Sequence, residues 1–185
     1  MTINMAMGQI LVLIVVFIVA AAAAVVVVPQ TTTSTFFTSA LKHHQKFIAE
    51  LKSEMVVPSI SNNATGTAYF QLDMKDNNKI KYSLIATDLD NVKAAHIHIG
   101  KEGEKNGPTI VTLYKTLRPA VLFGRILSVH DIITSDTLEG PLAGKKLSDL
   151  VNIMNNMMAY VDIHSQEYPN GELRGQISTT TGMSS

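Results

Sequence analysis

From Thr65 to Ile177 the chain repeats one pattern. Short runs carry apolar residues at every second position, and turn-forming residues separate them. Side chains on an extended strand alternate sides, so each such run has one face to bury. No strand can bury that face alone, and several together must close around a shared core. In 65–73 the apolar set is Ala68, Phe70 and Leu72; in 79–89 it is Ile80, Tyr82 and Leu84. In 94–100 it is Ala95, Ile97 and Ile99, and in 157–164 Ala159, Val161 and Ile163. The runs 109–114, 123–133 and 172–177 complete the series, the last with Leu173 and Ile177 inward. The turns include 76–78 (DNN) and 168–171 (YPNG), where Asn-Gly readily takes positive φ. One segment breaks the period: in 147–156, Leu147, Leu150, Val151 and Met154 recur at helical spacing behind Ser148 and Asp149 as capping residues. The pattern predicts an antiparallel all-β sandwich or barrel with one short helix. About 130 residues suffice to bury roughly two thirds of the unfolded surface without disulfides.

Ahead of this region, residues 10–28 (ILVLIVVFIVAAAAAVVVV) are apolar throughout. As a helix they would run roughly 28 Å at about 1.5 Å per residue, close to the ~30 Å hydrocarbon core of a bilayer. Pro29 ends the run. A cleaved secretory signal is the competing reading, favoured by the alanines. Such a signal has an apolar core of only about 7–15 residues behind a basic stretch, and residues 1–9 hold no Lys or Arg. Residues 1–29 are therefore expected to form a single N-terminal transmembrane anchor (or an uncleaved signal). Residues 30–46 read as a Thr-rich tether with a short helix over 36–46. His43 and His44 are adjacent there, diverge on a helix and make a poor chelate.

Fifteen Lys and Arg balance fifteen Asp and Glu, so no net field draws nucleic acid. Cysteine is absent, which removes disulfides, thiolate metal sites and cysteine nucleophiles. There is no phosphate-loop spacing and no G-x-S-x-G elbow. The glycine-rich stretch GKEGEKNGP (100–108) reads as a solvated loop.

Five pieces in order resemble the CHRD (chordin-type) domain family: FIAELKSEMVVPSISNNATGTAYFQLD (47–73), AAHIHIG (94–100), NGPTIVTL (106–113), LEGPLAGKKLSDLVNIMNNMMAYVDIH (138–164) and PNGELRGQI (169–177). The resemblance covers about 47–178 and leaves 179–185 as a flexible tail. It implies an immunoglobulin-like or Greek-key β-module outside the cytoplasm, here a membrane-anchored microbial member. The family is not an established enzyme family. Asp162 stands where the family often shows Asn, and Ser165 where it often shows Thr. The flanking charges, with Lys42 and Lys46 only beyond the apolar run, lean toward a cytoplasmic C-terminus. The resemblance outweighs so sparse a signal, and an extracytoplasmic C-terminal domain at the cell membrane is expected.

The chemistry concentrates in the outward residues. His96 and His98 share a strand face, about 6.6 Å apart along the chain. Two imidazoles so placed can converge on one ion, and a neighbouring strand can supply His164. Asp162, Glu172 and Arg174 lie on the same side of their strands as second-shell or polar-cluster partners. Zn²⁺ or Cu²⁺ would suit a nitrogen-rich set of this kind. The blander reading makes the same residues a structural hydrogen-bonded cluster. Copper–zinc superoxide dismutase, another Greek-key protein with a His-x-His strand, is no match: no histidine occurs from Ile99 to Val129, and the disulfide cysteines are missing. The expectation is a non-catalytic module with no certain cofactor, binding a protein or surface partner. The alternative is a copper- or zinc-binding protein using His96, His98 and His164.

Overall fold

The computed structural model describes residues 44–73 and 79–180. The expected transmembrane helix over 10–28, most of the tether and the DNN turn lie outside the described residues. Among the described residues no helix is long and apolar enough to cross a membrane.

Nine strands are described: β1 His44–Lys52, β2 Thr65–Asp73, β3 Lys79–Thr87, β4 Val92–Ile99, β5 Thr109–Ala120, β6 Leu127–Ile133, β7 Ala159–Ser165, β8 Leu173–Gln176 and β9 Ser178–Thr179. All their pairings are antiparallel, in the order β5-β4-β7-β8-β1-β2-β3-β6, with β9 beside β1. The two outer strands, β5 and β6, curl back toward each other. Across the interior the Tyr82 hydroxyl of β3 donates to Leu113 O of β5 at 2.6 Å. The single sheet is thus an almost closed barrel, the second of the two architectures the alternation allowed.

The alternation falls as the pattern requires. Phe47, Phe70, Leu84, Ile97, Val161, Ile163 and Leu173 are buried in one core. Each such side chain contributes about 1.5–3 kcal/mol over leaving it in water. Where β8 crosses β1, a side chain at position 175 would place its Cβ 2.2 Å from Glu50 O, so the approach admits only Gly175.

The helix α1, Leu147–Asn155, buries Leu147, Leu150, Val151 and Met154, the four residues its spacing marks. Lys146 N donates to Asp149 Oδ2 at 3.0 Å, so Asp149 closes the first turn from inside it. One expectation is corrected. The helix over 36–46 is absent from its described end, since His44–Lys46 already belong to β1 and pair with Asp73, Leu72 and Gln71. Phe47, Ala49 and Leu51 alternate inward there, and a nine-residue ladder with β2 overrides the local helix-forming residues.

Candidate metal centre

Neighbouring strands β4 and β7 carry the outward residues of interest. His96 pairs in register with Asp162, Ala94 with His164, and His98 with Tyr160. The period of two therefore brings His96, His98, Asp162 and His164 together on one patch of the outer face. One ligand atom from each lies within 4.8 Å of all the others. The ring centroids of His96 lie 5.5 Å from His98 and 5.1 Å from His164.

The nitrogens converge on one oxygen. Asp162 Oδ1 is 2.9 Å from His164 Nε2, 3.1 Å from His98 Nε2 and 3.8 Å from His96 Nδ1. A tetrahedron with ~2.0–2.1 Å bonds has edges of about 3.3 Å, so these three separations bracket the required size. The four ligand atoms, all within 4.8 Å of one another, would draw in toward that size around an ion.

Backbone carbonyls hold the far side of two rings. His98 Nδ1 lies 2.7 Å from Gly107 O, and His164 Nδ1 lies 3.0 Å from Pro169 O. A neutral imidazole has one N–H. With that proton donated to a carbonyl, the Nε2 lone pair of His98 faces the Asp162 oxygen, whereas His164 Nε2 is hydrogen-bonded to Asp162 Oδ1 at 2.9 Å, which takes a second proton on that ring or an ion in its place. Lone pairs so aimed repel unless a proton or a cation lies between them. His96 Nδ1, His98 Nε2 and Asp162 Oδ2 are buried without a hydrogen-bond partner, the short His98–Asp162 contact being poorly aligned. Buried polar atoms are rarely left in this state, and an ion bound among them would satisfy all three.

Electrostatics favours the carboxylate as a ligand and favours a proton on His164 where no ion holds that ring. Burial alone would push the Asp162 carboxyl up, but contact with His164, His96 and His98 holds it well below the usual carboxylate range. Burial would lower His164; the Asp162 carboxylate and the Pro169 carbonyl outweigh it and raise the imidazole above its ordinary value. The carboxylate thus stays anionic at neutral pH, as ligation of a cation requires.

The stretch 100–108 folds back over this face. Its side chains from Lys101 to Asn106 are exposed, as a solvated loop's would be, but its backbone is tied down. Arg174 donates from Nη1 to Glu104 O at 2.8 Å and from Nη2 to Lys101 O at 2.9 Å. Gly107 N donates to the Tyr160 hydroxyl at 2.9 Å. Arg174 also sits 3.6 Å over the Tyr160 ring, and His98 stacks on Tyr160 at 5.2 Å. A Cβ at position 107 would lie 1.7 Å from Ile99 O, so only glycine brings the covering carbonyl to His98.

Of the sequence candidates, His96, His98, His164 and Asp162 meet. Arg174 braces the covering loop instead of touching the cluster's open atoms. Glu172 is elsewhere: it accepts from Asn62 Nδ2 at 3.1 Å and lines a polar cleft of about 470 Å³ with Asp88, Asp90, Arg125 and Tyr168. Burial raises its carboxyl, and Ser165 partly offsets this. Glu172 and Arg174 form no ion pair with each other among the described residues. Tyr160, Gly107 and Pro169 were not singled out in sequence. Tyr160 was legible as the third outward residue of β7, whereas the two backbone carbonyls carried no residue-type signal.

A family model described as CHRD domain matches residues 47–177. The match takes in β2 to β8, α1 and all four clustered side chains. No curated protein matches the chain.

Proposed function

This chain belongs to the CHRD domain family, and on that premise we propose that it is a membrane-anchored, extracytoplasmic microbial module whose barrel wall binds one divalent transition-metal ion through His96, His98, His164 and Asp162. The observation that carries the reading is the set of buried nitrogens aimed at one carboxylate oxygen, with the opposite nitrogens of His98 and His164 held by carbonyls. The N-terminal apolar run supports the anchor, and the family resemblance supports the outward placement. Three nitrogens and one oxygen, drawn in to tetrahedral spacing, would favour Zn²⁺; Cu²⁺, which prefers a tetragonal arrangement, is the competing occupant. Four side chains, each no more than 19 % exposed, fill the coordination sphere and leave no open position for a substrate. The role is therefore structural and non-catalytic. The ion braces the wall on which the 100–108 loop presents its charged side chains to a partner.

Purified full-length chain in detergent, stripped and reloaded, is expected to take up one Zn²⁺ per chain by calorimetry and elemental analysis. His98→Ala should weaken uptake at least about tenfold. Absence of stoichiometric zinc or copper at micromolar concentration would end this reading.

A further inference from the structure

Between β4 and β5 the register breaks. Ala94 faces Lys115 and Val92 faces Ala120, so four residues of β5, 116–119, stand against the single Lys93 of β4 and bulge from the edge. Thr116 Oγ1 closes the bulge by donating to Arg118 O at 2.7 Å. A tight turn follows, with Gly124 and Arg125 at φ 64° and 60°. It is pinned by Leu89 N donating to Arg125 O at 3.2 Å and Arg125 Nη2 donating to Asp88 O at 2.8 Å. Both features lie at the barrel end where β1 finishes, because Val92 pairs with Ser165, Ile163 with Leu173 and Lys52 with Arg174.

This preformed tip exposes its apolar side chains almost completely: Leu117 100 %, Val121 90 % and Phe123 101 %. Isolated exposed apolar residues are ordinary, but three of them bare within seven positions need a cover. Lys93, Lys115 and Arg118 lie in the bulge or directly beside it on the paired strands, exposed and without an ion-pair partner among the described residues. The nearby carboxylates of Asp88 and Asp90 are already engaged by Arg125, at 3.7 and 3.1 Å. Projecting apolar side chains beside free cations match the boundary between anionic headgroups and acyl chains.

We propose that this tip docks on a lipid bilayer, with Leu117, Val121 and Phe123 entering the headgroup–acyl boundary and Lys93, Lys115 and Arg118 meeting anionic headgroups. Two features disfavour a second copy as the cover. The bulge interrupts the edge that strand addition would need, and a two-fold contact would set the same cations against each other. A bilayer is also within reach on the anchor reading above, from which this clause of the argument borrows. Fifteen residues link Val28 to His44, at most roughly 50 Å of chain.

The test uses residues 33–185, a compact unit that contains every described strand and the whole core but lacks the apolar run. It is expected to co-sediment with phosphatidylcholine vesicles containing phosphatidylserine, and far less with phosphatidylcholine alone. The triple variant L117S/V121S/F123S should bind at least roughly tenfold more weakly, as should K115E/R118E. Zinc content and melting temperature should stay unchanged in both, since the substituted side chains touch neither core nor cluster. No co-sedimentation, binding that survives the triple substitution, or a dimer by light scattering that the substitution abolishes would each overturn the proposal. The anchor is judged separately. Release of the full-length chain from membranes by alkaline carbonate would sink the anchor and leave the vesicle result standing.

Discussion

Two walls of the barrel obey the same alternation and end in opposite environments. On β1, β2 and β3 the outward residues include Glu50, Tyr69, Gln71, Lys81 and Ile85, all exposed, Tyr69 by 52 %, with Ile48, Thr67 and Ser83 half-buried among them. On β4, β7 and β8 they are His96, His98, Tyr160, Asp162, His164 and Arg174, all buried or nearly so, Asp162 to 2 % exposure. The pleat decides which way a side chain points; it does not decide what it meets there. On the second wall the 100–108 loop and the turn carrying Pro169 cover the outward face and lower its dielectric. An exposed strand histidine is a solvated base. The same histidine under a loop, fixed by a carbonyl and aimed at a carboxylate, is a candidate ligand.

The comparison breaks most sharply at Asp162. Asp162→Ala removes the one carboxylate to which all three histidines turn and leaves buried imidazoles without their counter-charge. Such a loss costs about 3–5 kcal/mol, and metal uptake should disappear with it. Glu50→Ala, a carboxylate at an outward position on the other wall, should stay within about 0.5 kcal/mol. Urea unfolding of the two variants beside the parent measures the contrast. Equal effects would mean that the covered wall is no different in kind from the open one.

The next largest effect concerns the cover itself. Arg174 donates to two loop carbonyls at once, at 2.8 and 2.9 Å, while lying on Tyr160. Arg174→Ala strips both carbonyls of a charged donor and should cost about 2–3 kcal/mol, concentrated in the loop. Arg174→Lys should recover little, because an ammonium cannot span two carbonyls in the planar fork of a guanidinium. Hydrogen exchange of amides 101–107 should quicken in both variants, and zinc affinity should fall by about tenfold through the lost support of His98. Undisturbed exchange in the alanine variant would show that the loop stands without its brace.

The residues explain why the patch was legible in sequence and its cover was not. His96, His98, Asp162 and His164 announce their common side through the apolar residues between them, Ile97 and Ile163 above all. Adjacency of β4 and β7 joins strands more than sixty residues apart, and no local signal encodes that. The loop's attachments run through the carbonyls of Lys101, Glu104 and Gly107, groups every residue possesses, so composition reads only its solvated side chains. The start of β1 was obscured for a different reason: His44, Gln45 and Lys46 carry no apolar alternation, and only their pairing with β2 makes them strand. Position alone did not place Glu172, because it sits just ahead of β8, where the chain is leaving the turn. Its carboxylate goes to Asn62 and the polar cleft.

The smallest effect tests the open wall and the closure of the barrel together. Tyr82 points inward from β3, and its hydroxyl reaches Leu113 O on β5, across the seam between the sheet's two ends. Burial, with a smaller contribution from the charge of Asp131, pushes its phenol up to about 12. An ordinary tyrosine ionises near 10. A group whose folded value is raised stabilises the fold fully below its unfolded value and loses that contribution as pH climbs through the folded one. Stability from this source should therefore hold to about pH 10 and fall away toward about pH 12. Burial also raises the Tyr160 phenol, so ultraviolet titration should show more than one late phenol; Tyr82→Phe should remove the component near pH 12 while costing about 1 kcal/mol for the lost hydrogen bond. If Tyr82 instead ionises near 10 like an ordinary tyrosine, water reaches the seam, and the wall from β1 to β6 is an open sheet whose edges do not meet.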